Sequence, residues 1–334
     1  PLTPSPGRQS QLPVLLAEYS FRTKEDLEDY LEILESVPAY LESLAQYEKE
    51  KANAGLFMTE SDASNIVKQC DTIMDPDLLS AGEHFLQTTF QERAEALVQE
   101  GLLTGEEMEL YIAENNRILT TLVAPAYIAL ADAVFLLSGS GTHEGGLCEL
   151  PSGGAYYLYL LRHNTGTSRT PEEIQVLLSD RFQLCYQNLQ ALVETYREQT
   201  GNTSISLQDI PAFPFQDAQE VLADLQQRIQ TDFPPLDALT KTLPTCRTKA
   251  VAESMEEFTS PAFYLTPPID DMGDNVIYVN NASTSPGLEL YTTLAHEGYP
   301  GHLYQTVYSQ LYENSRTKNP VRSALFYGGF VEGW

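Results

Sequence analysis

Helix signals fill the first 243 residues of this chain so completely that they leave little room for a sheet. Thr23-Lys24-Glu25-Asp26 places a capping threonine three residues before an acid, so that each side chain can satisfy a backbone N–H the helix start leaves open. The helix it opens carries Leu27, Tyr30, Leu31 and Leu34 on one face. Pro38 is expected to end that helix and to start another over about 39–53, closed by Gly55. Ser61 is placed to cap a helix reaching about Met74. Pro76–Leu137 reads as helix almost throughout, with a turn at Gly101 and Thr104-Gly105. Thr170-Pro171-Glu172-Glu173 supplies a cap, a proline at the first helical position and an acid at the third. That helix is expected to run to about Thr200, and another covers about 216–231. The Pro/Ser-rich residues 1–13 are expected to be extended, and the aromatic, apolar Ala155–Arg162 to be buried.

The character changes at Pro244. Cys246–Ala252 and Asn275–Asn280 are short and β-branched, which predicts strands. A helix follows from near Pro286 and a last one from near Pro320. The expected fold is mainly α, with a small antiparallel sheet just before the helix that starts near Pro286. Three regions are expected: 1–137, 138–243 and 244–334. The glycine-rich residues 138–154 form a loop or a junction between two of them. The three together are read as one continuous domain, truncated at both ends, because the chain opens Pro1-Leu2-Thr3 and stops at Trp334 inside an apparent helix.

Charge narrows the function. Lys+Arg is 19 against Asp+Glu 47, a formal charge of −28. Phosphate neutralisation needs a basic surface, which argues against nucleic acid and against anionic membranes as partners. Four dispersed cysteines, Cys70, Cys148, Cys185 and Cys246, form neither a disulfide scaffold nor a CxxC knuckle, and each is expected to be a buried thiol. The longest apolar stretch, near Leu122–Leu137, is interrupted by Pro125 and Asp132, so no membrane-spanning segment is expected in this piece. His84 and His163 read as surface or packing residues, and His143-Glu144 as part of a loop.

Residues 294–305, Leu-Ala-His-Glu-Gly-Tyr-Pro-Gly-His-Leu-Tyr-Gln, carry the chemistry. Imidazole is the commonest metal ligand, and a neighbouring carboxylate can take a proton from a metal's water. On an unbroken helix, His302 would lie about 240° round and ~9 Å along from His296, too far to share an ion. Pro300 cannot donate to the carbonyl of His296, and Gly301 tolerates unusual backbone angles. The helix must therefore kink between the two histidines, and the kink can bring them together. Catalytic zinc takes three protein ligands and keeps one position open. Glu332, in Phe330-Val331-Glu332-Gly333-Trp334, is the third candidate, which leaves Glu297 as the base.

His-Glu-Gly-Tyr-Pro-Gly-His followed by Phe-Val-Glu-Gly-Trp resembles the bacterial DUF885 family, grouped with the His-Glu zinc metallopeptidases of the gluzincin clan. Tyr19-Ser20-Phe21-Arg22-Thr23, Thr170-Pro171-Glu172-Glu173 and Tyr264…Pro267-Pro268…Ile277-Tyr278-Val279-Asn280 extend the likeness over most of the chain. The resemblance implies a large helical peptidase-like fold and Zn²⁺ as cofactor. It implies His296, His302 and Glu332 as metal ligands and Glu297 as the catalytic acid/base. In gluzincin-like enzymes a strand edge beside the motif helix holds the peptide, and Asn275–Asn280 is the candidate edge. Tyr264, Tyr278 and Tyr327 are candidate substrate-binding residues, as oxyanion donors or pocket walls. The expected activity is zinc-dependent peptide hydrolysis in an exported protein. The alternatives are a helical scaffold with a structural or lost metal site, and a zinc hydrolase acting on a non-peptide amide.

Overall fold

The computed structural model of the chain describes residues 1–334 apart from 6, 144, 202–213, 237–243, 269–271 and 317–326. Glu144 and the helix start near Pro320 lie outside the described residues. The fold is mainly helical and divides into two compact units. One is Pro1–Gly146 with Val251–Thr259, and the other is Leu147–Ala250 with Ser260–Trp334.

The first unit contains α1 (Arg8–Ala17), α2 (Lys24–Asn53), α3 (Glu60–Ile73), α4 (Pro76–Ala81), α5 (Phe85–Gln99), α6 (Gly105–Ile118), α7 (Ala124–Leu137) and α11 (Glu253–Glu256). Thr23 and Asp26 form the expected capping box at the head of α2. Pro38 does not divide this helix. Leu27, Tyr30, Leu31, Leu34, Val37, Leu41 and Leu44 form one buried stripe that runs straight past it. Burying a leucine contributes about 1.5–3 kcal/mol, so the continued stripe outweighs the ~3 kcal/mol cost of one interior proline. Residues 8–13 are likewise helical rather than extended, because α1 is held from outside itself. The buried Gln9 side chain donates to Gln69 Oε1 at 2.7 Å, and the Tyr127 hydroxyl donates to the Gln9 carbonyl at 2.9 Å.

A π-helical turn, Leu119–Val123, joins α6 to α7 without a break. The resulting rod, Gly105–Leu137, is long and apolar enough to cross a membrane by length and composition, despite Pro125. Its Leu119, Val123, Tyr127, Leu130 and Val134 are buried in the core of the first unit. A core helix meets the same criterion of length and composition.

The second unit contains α8 (Gly153–Thr165), α9 (Pro171–Thr200), α10 (Ala218–Asp232), β1 (Thr245–Ala250), β2 (Ala262–Leu265), β3 (Asp274–Val279), α12 (Leu288–Glu297), α13 (His302–Arg316) and α14 (Gly328–Gly333). The sheet order is β1–β3–β2, with β1 parallel and β2 antiparallel to β3. It is thus a mixed sheet, not the purely antiparallel one expected. Two strands that look alike in sequence run the same way because a crossover containing α11 and β2 separates them. Val221, Leu222 and Leu225 of α10, Ile277 and Val279 of β3, Leu290 and Leu294 of α12, and Leu303 and Val307 of α13 form one core.

Other expectations are corrected in both units. Tyr156, Tyr157, Leu158 and Tyr159 of α8 are exposed, and α9, capped as expected at Thr170, buries no residue. Apolar composition marks surface that tends to be covered; among the described residues nothing covers it here. The cysteines also differ: Cys70 is buried and Cys246 partly so, while Cys148 and Cys185 are exposed. His84 is fully buried and caps α5, its ring accepting from the Leu86 N–H at 3.2 Å.

Candidate metal centre

α12 stops at Glu297. The Gly298 N–H still reaches the Leu294 carbonyl at 2.8 Å, but the next bonds run from residue i to i−6. Gly301 N–H goes to the Ala295 carbonyl at 3.0 Å and Tyr304 N–H to the Gly298 carbonyl at 3.1 Å. Regular i→i−4 bonding resumes with Gln305 N–H to the Gly301 carbonyl at 2.9 Å. The Tyr299–Pro300 peptide bond is cis. A side chain at position 301 would have its Cβ 1.7 Å from the His296 carbonyl oxygen, so only glycine fits. Buried Tyr299 anchors the break in the core, with its hydroxyl 3.4 Å from Gln226 Nε2.

The break brings the His296 and His302 rings to 4.4 Å between centroids, inclined at 67°. Glu332 Oε2 of α14 lies 3.5 Å from His296 Nε2 and 3.7 Å from His302 Nε2. The three ligand atoms fall within 4.8 Å of one another. Tetrahedral zinc with bonds near 2.0–2.1 Å sets neighbouring ligand atoms about 3.3 Å apart. Two imidazoles and a carboxylate are a donor set that zinc takes, and the two Glu332 distances lie near that spacing.

Glu297 sits beside this cluster, half-buried. Its Oε2 accepts the Tyr264 N–H of β2 at 2.8 Å. Burial pushes its carboxyl above the usual carboxylate range, opposed by the Tyr264 N–H and the two histidines and assisted by Glu332. Ser260, Ala262, Phe263, Tyr264, Thr292 and Thr293 complete a cavity of about 620 Å³ around His296, Glu297, His302 and Glu332.

The tyrosines divide. Tyr264 lines the cavity, but its hydroxyl donates to Asn275 Oδ1 at 2.7 Å, and its backbone N–H is what faces Glu297. Tyr278 and Tyr327 do not line it. Tyr278 stacks on Phe263 at 5.0 Å, and Tyr327 stands at the start of α14 against Phe330. The expected substrate edge also moves. β3 is the central strand with a neighbour on each side, so Asn275–Asn280 has no open edge. The strand beside Glu297 is β2. In its antiparallel pairing, alternate residues turn their backbone groups away from the partner strand. Asn280 N–H bonds to the Pro261 carbonyl, which puts Ala262 and Tyr264 in the outward set. Sequence reasoning missed β2, Ser260 and Thr292-Thr293, because none of them is chemically distinctive before the fold places it.

The family model described as "Bacterial protein of unknown function (DUF885)" matches residues 2–334. A crystal structure described as that of "the putative lipoprotein from Colwellia psychrerythraea" shares the fold, with a TM-score of 0.74 at 18% sequence identity. The match covers 100% of this chain and 57% of that one, so the chain spans little more than half the length of that protein. No curated protein matches.

Proposed function

The chain belongs to the DUF885 family, and from that premise we propose that it is a zinc-dependent peptide hydrolase. The observation that carries this reading is the convergence of His296, His302 and Glu332 within 4.8 Å, with Glu297 alongside. His296, His302 and Glu332 would hold the zinc, which would supply Lewis-acid chemistry at this point. Glu297 takes a proton from the attacking water and returns it to the leaving amine. A peptide backbone laid along the edge of β2 pairs with the outward groups of Ala262 and the carbonyl of Tyr264, whose N–H is held by Glu297, which sets the scissile bond beside Glu297. Among the described residues the donor set has three ligands, which favours catalysis over a purely structural ion, whose site is ordinarily closed by four protein ligands. The lipoprotein description of the Colwellia relative supports an exported or membrane-anchored location.

The test is zinc content and cleavage of a mixed peptide library by wild type and Glu297→Gln. Both should bind about one zinc, and the variant should lose roughly 10²–10⁴-fold in rate. Zinc without cleavage in either form would move the reading to a structural ion or a non-peptide amide. No zinc in either would remove the ligand assignment.

A further inference from the structure

Glu332 poses a physical problem. It sits on α14, a helix of six residues with no buried side chain and no side-chain cap. Such a short helix does not hold itself in water. The Glu332 side chain is 66% exposed, so packing does not hold its carboxylate either. Yet that carboxylate stands within 3.7 Å of both imidazoles.

One side of α14 lies against Thr165 and Gly166 at the end of α8; among the described residues two hydrogen bonds tie it to the segment that carries the histidines. The Trp334 indole N–H donates to the Pro300 carbonyl at 2.6 Å. The Gln305 amide donates to the Phe330 carbonyl at 3.4 Å. Pro300 is at the centre of the break. In a continuous helix its carbonyl would take the Tyr304 N–H, but that N–H goes to Gly298. The indole therefore satisfies an acceptor that the break itself leaves open. It also packs edge-on against Phe233, with centroids 6.2 Å apart. Gln305 lies one turn after His302, on the same face of α13. The two straps reach α14 at Phe330 and Trp334, two residues to either side of Glu332.

We propose that Trp334 and Gln305 are positioning residues for the metal, strapping α14 to the break so that Glu332 is held beside both histidines. This rests on the zinc reading above. One local irregularity then does two things: it turns His302 toward His296, and it exposes the carbonyl on which the third ligand's helix is hung. Supporting groups of this kind typically alter metal affinity 10–100-fold when removed.

The experiment is zinc affinity by competition with a chromophoric chelator, using zinc alone as probe, for the wild-type chain, Trp334→Phe and Trp334→Phe/Gln305→Ala. Thermal unfolding of each metal-free form is measured alongside. Phenylalanine keeps an aromatic ring against Phe233 and removes only the donor. Trp334 is the chain's single tryptophan, so in the wild type acrylamide quenching reports its mobility directly. The expected result is a metal-free transition unchanged from wild type and zinc binding weakened at least ~10-fold in Trp334→Phe and further in the double variant. Zinc should also lower tryptophan quenching in the wild type and not in Glu332→Gln. Tight wild-type binding that both strap variants retain overturns the positioning role and leaves the zinc reading standing. Failure of the wild type to bind zinc overturns both. If the metal-free transition falls in step with affinity, the straps are merely structural and the proposal fails.

Discussion

Replacing Gly301 by alanine tests whether the helix break builds the site. The new Cβ would sit 1.7 Å from the His296 carbonyl oxygen and 2.6 Å from that of Ala295. Ordinary van der Waals contact begins near 3.4 Å, so the backbone must open by about 3.4 − 1.7 = 1.7 Å. Both atoms met are backbone, so no rotamer change relieves the clash. The neighbouring Tyr299, Leu303 and Tyr304 are at most 2% exposed, so the displacement cannot be absorbed on their side without cost. Forcing atoms into such a site costs about 1–3 kcal/mol. Zinc–ligand distances tolerate only ~0.2 Å, and His302 follows directly on the displaced residue. Loss of zinc affinity should therefore exceed the ~10–100-fold that follows from disturbing a ligand's support alone. Calorimetric melting and zinc competition on Gly301→Ala and wild type decide it. Wild-type values for both would refute the steric argument. A lowered melting temperature with unchanged zinc affinity would show that the break does not set the ligand geometry.

Glu107 provides a pH prediction. Its bond to Lys24 and its bonds to the Thr104 cap hold its carboxyl down at about 2, from an ordinary 4.5. A lowered folded-state value gives stability that is present above the unfolded value and lost as pH falls toward the folded one. The melting-temperature gap between wild type and Glu107→Gln should be full above about pH 5 and close as pH falls toward 2; a constant gap would contradict this. On α9, Phe182 is 72% exposed, so Phe182→Ser should change the unfolding free energy of this chain by no more than about 0.5 kcal/mol. A larger loss in chemical denaturation would mean that the α9 face is covered.

Much of the helical part was legible because its signals are local. Thr23/Asp26 and Thr170/Glu173 cap their helices through contacts three residues apart, and both helices start where those residues place them. The His296–Glu297 helix and its break at Pro300-Gly301 were equally readable, since a missing N–H and a missing Cβ act on their immediate neighbours. Pro38 was misread because its local penalty is outweighed by a stripe of leucines whose partners lie on other helices. The aromatic run in α8 was misread for the converse reason: apolar residues state a preference for burial but not what covers them.

The same division holds at the site. Sequence alone determined which residues are the candidate ligands and base of the proposed site, and that the helix cannot pass straight from His296 to His302. Only the tertiary structure decided that Glu332 arrives within 3.7 Å of both imidazoles and that Trp334 reaches the Pro300 carbonyl. It also placed β2 rather than β3 at the open edge beside Glu297. Ligand identity and helix breaking are properties of single residues and their neighbours. Distances between residues some thirty positions apart are set by packing, which no short window of sequence contains.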